Sequence, residues 1–339
     1  MNKKILVLIA LSLSVCAAVY GIESLAVSWT AANPMNRPRA FFAASELPNG
    51  NILVAGGFDN MVNFADSEIY NWHTGMWTRT ASMKQARSAP VAVQLENGRV
   101  MVIGGFAADG TILNTAEIYD PRTNTWSLIA APMHDARVED FVAVLLPGRK
   151  VLVAGGFSGV TSISRILSSA EIFDEKTGMW SPTNPMNVGR GEFANVKLQD
   201  GRVLVMGGVT LEGMPPTVSA TASAEIFDPK TQQWTLTGSM SAAREDHAAV
   251  LLRDGRVLVA GGTKSEDDQR FTSAEIFDPK TGNWSPTGSM NVGRSEIEYA
   301  AVRLQDGRVL VTGGHFMPHM ETNSADLFDP ETGNWDQPA

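Results

Sequence analysis

Beyond its first thirty or so residues the chain is built of short apolar runs separated by polar breaks rich in glycine, aspartate and asparagine. No segment sustains the 3.6-residue spacing of an amphipathic helix, so strands joined by tight turns are the expected elements. The stretch around residue 250 shows the pattern, with strands predicted over 247–252, 256–260, 272–277 and 283–286. Asp254-Gly255, between the first two, is a hairpin pair, because type I′ turns need positive φ at both central positions. Val257, Leu258, Val259 and Ala260 form an unbroken apolar run, as a strand covered on both faces requires. Asp278-Pro279-Lys280-Thr281-Gly282 is a turn into the last strand.

The same order recurs six times. Each unit opens with a methionine (Met35, Met83, Met133, Met186, Met240, Met290), and an arginine follows four residues later (Arg39, Arg87, Arg137, Arg190, Arg244, Arg294). Two apolar runs around a turn come next, the second ending in paired glycines that begin at Gly56, Gly104, Gly155, Gly207, Gly261 and Gly313. A loop then leads to a segment such as AEIFDPKTGNW, whose tryptophans are Trp77, Trp126, Trp180, Trp234, Trp284 and Trp335. Four strands in about 50 residues, repeated, is the sequence pattern of an all-β propeller with one four-stranded antiparallel sheet per blade. The six blades fall near 35–82, 83–132, 133–185, 186–239, 240–289 and 290–339. Trp29 and Trp335 both match the closing strand of a unit, and a ring of six needs only one of them.

The paired glycines, the aromatic of AEIYD or AEIFD and the spaced tryptophan resemble the kelch repeat, in the variety found in the central domain of galactose oxidase. The resemblance spans about residues 27–339 and implies a six-bladed kelch-type β-propeller. It says little about function, because such propellers serve many roles.

The repeat also acts as its own control. Residues present in every unit are explained by what every blade needs. The six arginines are matched by six acids in the third strand, Glu68, Glu117, Glu171, Glu225, Glu275 and Asp326, so one structural Arg–carboxylate pair per blade or blade interface is expected. Counting back from the glycines, one position breaks the pattern. It holds Phe41 and Ala89 in the first two units and Asp140, Glu192, Asp246 and Glu298 in the other four. Glu139 and Glu245 precede this position, and His247 and Tyr299 follow it. In kelch propellers the loop into the innermost strand and the loop after the glycines form the ligand-binding mouth. The resemblance therefore places this acidic arc at the channel rim, where it would attract cations or basic groups, Ca²⁺ included. The alternative is a solvated rim or carboxylates paired with the arginines. His315, Met317, His319 and Met320 follow the last glycine pair, and a surface loop is the expected reading over a metal site.

The N-terminus follows the plan of an export signal, with Lys3 and Lys4 before an apolar stretch over 5–15 and small residues up to Gly21. Cleavage is expected after Gly21, with Val19 at −3, which gives a signal peptide over 1–21 and a propeller over 22–339. An uncleaved N-terminal anchor is the alternative, and no later segment approaches the length of a membrane span. A secreted, periplasmic or cell-envelope location follows. The single cysteine, Cys16, lies in this signal, so the mature chain has no internal disulfide, thiolate metal site or catalytic thiol. The formal charge of −9 disfavours nucleic-acid binding.

The resemblance to galactose oxidase raises copper-radical chemistry, which in that family needs a cysteine-modified tyrosine, and no mature cysteine exists to make it. A second enzymatic alternative is a sugar mutarotase or epimerase of the sialic-acid kind, using mouth carboxylates as acid and base. The leading expectation is a non-catalytic module, with no resident cofactor, that binds a glycan, a peptide or an envelope protein.

Overall fold

The computed structural model describes residues 32–59, 62–159, 166–213, 217–264, 269–297, 300–317 and 320–336. The segment over 1–21 read as an export signal, and Trp29, lie outside these residues. The chain forms a six-bladed β-propeller, each blade a four-stranded antiparallel sheet with strands in sequence order. In blade five the strands are Ala248–Leu251, Val257–Ala260, Ala274–Asp278 and Asn283–Pro286. Blade six closes on its own last strand, Asn334–Asp336, in which Trp335 sits opposite Phe328. No helix among the described residues is long and apolar enough to cross a membrane.

First strands of neighbouring blades approach one another, which makes them the innermost and leaves the tryptophan-bearing fourth strands outside. The second strands are almost wholly buried because they are covered on both faces. One cluster joins Met101 and Ile103 of blade two to Val151, Phe173 and Trp180 of blade three, so each core is shared by two blades. In every blade the third-strand aromatic packs against the fourth-strand tryptophan, with ring centroids 5.0–5.1 Å apart and planes tilted by 42–47°. Such tilted pairs add about 0.5–1.5 kcal/mol beyond their buried area.

The repeated arginine is wholly buried in all six blades. Its guanidinium reaches the third-strand acid of its own blade at 2.5–3.3 Å. Another nitrogen of the guanidinium donates to the carbonyl of the first paired glycine, as Arg244 does to Gly261 at 2.7 Å. The acid in turn accepts backbone N–H groups from the turn after the methionine: Glu225 takes those of Asn187 and Val188 at 2.7 and 2.9 Å. One ion pair thus ties the linker, the glycine turn and the third strand of each blade together.

The paired glycines are dictated by close approach. A Cβ on Gly207 would lie 2.5 Å from the Arg244 carbonyl oxygen and 2.5 Å from the His247 ring. A Cβ on Gly262 would lie 2.8 Å from the His247 Cβ. His247 therefore spans from its own second glycine to the first glycine of the preceding blade. Phe193 and Ile297 occupy the same seat one blade to either side.

Candidate functional site

The residue just before that interblade seat carries the mouth. Its φ is positive in every blade: 50° at Phe41, 49° at Ala89, 38° at Asp140, 53° at Glu192, 55° at Asp246 and 54° at Glu296. Side chains other than glycine rarely adopt this conformation, and the repeat imposes it on bulky and acidic residues alike. Backbone hydrogen bonds link these positions around the channel. Ala89 donates to the Phe41 carbonyl at 2.8 Å, Asp246 to Glu192 at 3.3 Å and Ile297 to Asp246 at 3.4 Å. Successive mouth side chains are thereby held next to one another.

Asp140, Glu192, Asp246, Glu139 and Glu245 come together. Carboxylate oxygens of Glu192, Glu245 and Asp246 lie within 4.8 Å of one another, a donor set of the kind that a hard divalent cation takes. Burial first, then the charges of Asp246, Glu245, Asp140 and Glu139, push the Glu192 carboxyl up to about 9, so it holds a proton at neutral pH. Burial and Asp140 also raise Glu139.

His247 departs from the expectation. It is wholly buried in the interblade seat, with neither ring nitrogen hydrogen-bonded. Burial, followed by the nearby charges of Arg244 and Arg190, pushes its imidazole down to about 3. The histidine is a neutral packing residue rather than part of the open mouth. In blade six the mouth position belongs to Glu296, because the two extra residues fall after the seat taken by Ile297. Glu298 and Tyr299 lie outside the described residues. Counting forward from Arg294 instead of back from the glycines would have found Glu296. Its carboxylate pairs with His315 Nδ1 at 2.6 Å. His315 thus belongs to the rim, while His319 lies outside the described residues.

Opposite the acidic arc the mouth is apolar. Phe41 is 62% exposed and its ring lies 5.6 Å from that of Phe58. Two short ribbons rise from the loops after the glycines, one pairing Val209–Glu212 with Thr217–Ala220 and the other pairing His315–Met317 with Met320–Glu321. Leu211 faces Val218 on the first and Met317 faces Met320 on the second, all of them exposed.

The fold and repeat define a kelch-type β-propeller. Residues 52–321 match the Attractin/LZTR1 beta-propeller family, and the chain belongs to it. Kelch-like protein 35 of Mus musculus is 28% identical over 226 residues, covering 66% of this chain and 35% of that protein. Spermatocyte protein spe-26 of Caenorhabditis elegans is 28% identical over 153 residues, covering 43% of this chain and 25% of that protein. The matched part of the chain thus spans only 25–35% of the length of these relatives. Among solved structures, a fungal alcohol oxidase of the AA5 family in complex with copper superposes with a TM-score of 0.66 at 22% identity. That match covers 82% of this chain and 59% of the oxidase. YjhT gives a TM-score of 0.67 at 15% identity, covering 91% of this chain and 99% of YjhT. At such identities these two likenesses show the fold alone.

Proposed function

We propose that this propeller is an exported, non-catalytic interaction module whose mouth receives a basic segment of a partner protein. The observation that carries the reading is the convergence of five carboxylates from three neighbouring blades, close enough to keep one of them protonated at neutral pH. A lysine or arginine entering the arc would replace that proton with a charge-assisted hydrogen bond. Phe41, Phe58 and the ribbon residues Leu211, Val218, Met317 and Met320 offer apolar contacts for the residues flanking the basic one. A protein or peptide accounts for this mixture better than a glycan, which would leave carboxylates crowded against neutral hydroxyls. The kelch-like relatives support an interaction role.

Calorimetric titration with a lysine-rich octapeptide containing one phenylalanine tests the reading. Binding should weaken about tenfold or more in Glu192→Gln/Asp246→Asn, since each lost charged hydrogen bond contributes about 1.5–3 kcal/mol. Equal affinity of wild type and variant would remove the acidic arc from the function. Ca²⁺ should compete with the peptide at the same carboxylates.

A second reading rests on the same protonated Glu192. A carboxylic acid beside ionised carboxylates is an acid–base pair, as sugar isomerisation requires. Acceleration of sialic acid mutarotation in an NMR anomer-exchange assay, lost in Glu192→Gln, would establish that reading instead.

A further inference from the structure

A cleft of about 290 Å³ opens where the third and fourth strands of blade one, Ser67–Asn71 and Met76–Thr80, meet the linker to blade two. Arg37, Asp66, Ser67, Arg79, Thr80 and Ser82 line it. Three of these depart from the repeat. The other five blades have alanine where Ser67 stands (Ala116, Ala170, Ala224, Ala274, Ala325). Arg79 takes the place of Leu128, Pro182, Leu236 and Pro286. Arg37 takes the place of Gln85, Asp135, Val188, Ala242 and Val292. A blade of this kind is complete without any of the three, so their convergence on one cleft calls for a local cause.

The chemistry of the three points the same way. Ser67 is wholly buried and its hydroxyl has no hydrogen-bond partner, an arrangement that folding alone disfavours. Arg79 is exposed, and no ion pair engages it among the described residues. The Arg37 guanidinium carbon lies 3.5 Å from the centre of the Phe64 ring. Its contacts to Asp66 and Asp59, at 3.5 and 3.7 Å, are longer than strong charge-assisted hydrogen bonds. Asp66 is held instead at 3.0 Å by the buried Arg39, which also carries Glu68. One guanidinium without an ion pair, that of Arg79, a second held only by long contacts, that of Arg37, and a hydroxyl with its hydrogen to give are therefore placed to serve a guest.

We propose that this cleft binds a tetrahedral oxyanion, a phosphate or sulfate group, with Arg37 and Arg79 clamping its oxygens and the Ser67 hydroxyl donating to one of them. The site is a local exception on an acidic protein of formal charge −9, so diffuse attraction of anions to the surface does not imitate it.

Titration calorimetry in chloride buffer, with sodium phosphate and with glucose 6-phosphate, tests the assignment. Both should bind wild type. Arg79→Gln alters an exposed side chain and should weaken binding tenfold or more. Ser67→Ala installs the residue that the other five blades carry and should weaken it severalfold, with the melting temperature unchanged or raised in both variants. Tighter binding of glucose 6-phosphate would identify a phosphate monoester as the guest, and tighter binding of inorganic phosphate the free ion. Absence of binding to wild type at millimolar ligand, or equal affinity across wild type and both variants, would overturn the proposal.

Discussion

His247 gives the sharpest test of how the blades are joined. In the interblade seat it displaces the phenylalanine that blade four uses there, Phe193, and both its ring nitrogens are buried without partners. Replacing it with phenylalanine removes two unsatisfied polar atoms, worth about 1–3 kcal/mol, in a seat already shown to accept that ring. The pH dependence follows from the imidazole being pushed down from 6.5 to about 3. Between those values the unfolded chain binds a proton that the folded chain refuses, so the histidine costs stability as pH falls below 6.5. By pH 5 that cost is about 2 kcal/mol, and above pH 7 it vanishes. Reversible urea unfolding of wild type and His247→Phe at pH 7.5 and pH 5 measures both terms. The variant should be more stable by about 1–3 kcal/mol at pH 7.5 and by about 2 kcal/mol more at pH 5. An equal difference at the two pH values would refute a buried, neutral histidine. A destabilised variant would refute the equivalence of the seats.

Arg244→Ala leaves Glu275 buried without its ion pair and should lower stability by about 3–5 kcal/mol in urea unfolding. Asp246→Asn relieves repulsion at the mouth and should leave stability unchanged or slightly raised in the same assay. N-terminal sequencing of protein secreted by an expression host should begin at Ile22, and retention of Met1 would favour the anchored alternative.

The ring and its ion pairs were legible because six copies of one solution stand in the chain. A recurrent Arg–acid match cannot be accidental, and the predicted strands of blade five differ from those observed by two residues or fewer. The mouth was legible in part. Asp140, Glu192 and Asp246 stand where the break in the repeat put them, because nothing is inserted between them and the interblade seat. In blade six the positive φ falls on Glu296, directly before Ile297, and Glu298 lies outside the described residues. His247 misled the reading of the mouth. Its neighbour faces the mouth while it turns back into the blade interface, a seat that the repeat fills with Phe42, Pro90, Phe141, Phe193 and Ile297 in the other blades. Ser67 and Arg79 broke the repeat as plainly as the mouth residues did, but only folding brings them to one cleft.

The proposed function requires the carboxylates to meet at the mouth and receive a cation. NMR of protein carrying ¹³C-labelled glutamate reads this at the Glu192 carboxyl. In the free protein the carboxyl should titrate near 9, and adding the lysine-rich octapeptide should shift that titration downward as the basic side chain replaces the proton. A Glu192 carboxyl that titrates in the ordinary range near 4–5, indifferent to the peptide, would contradict the convergence and the function drawn from it.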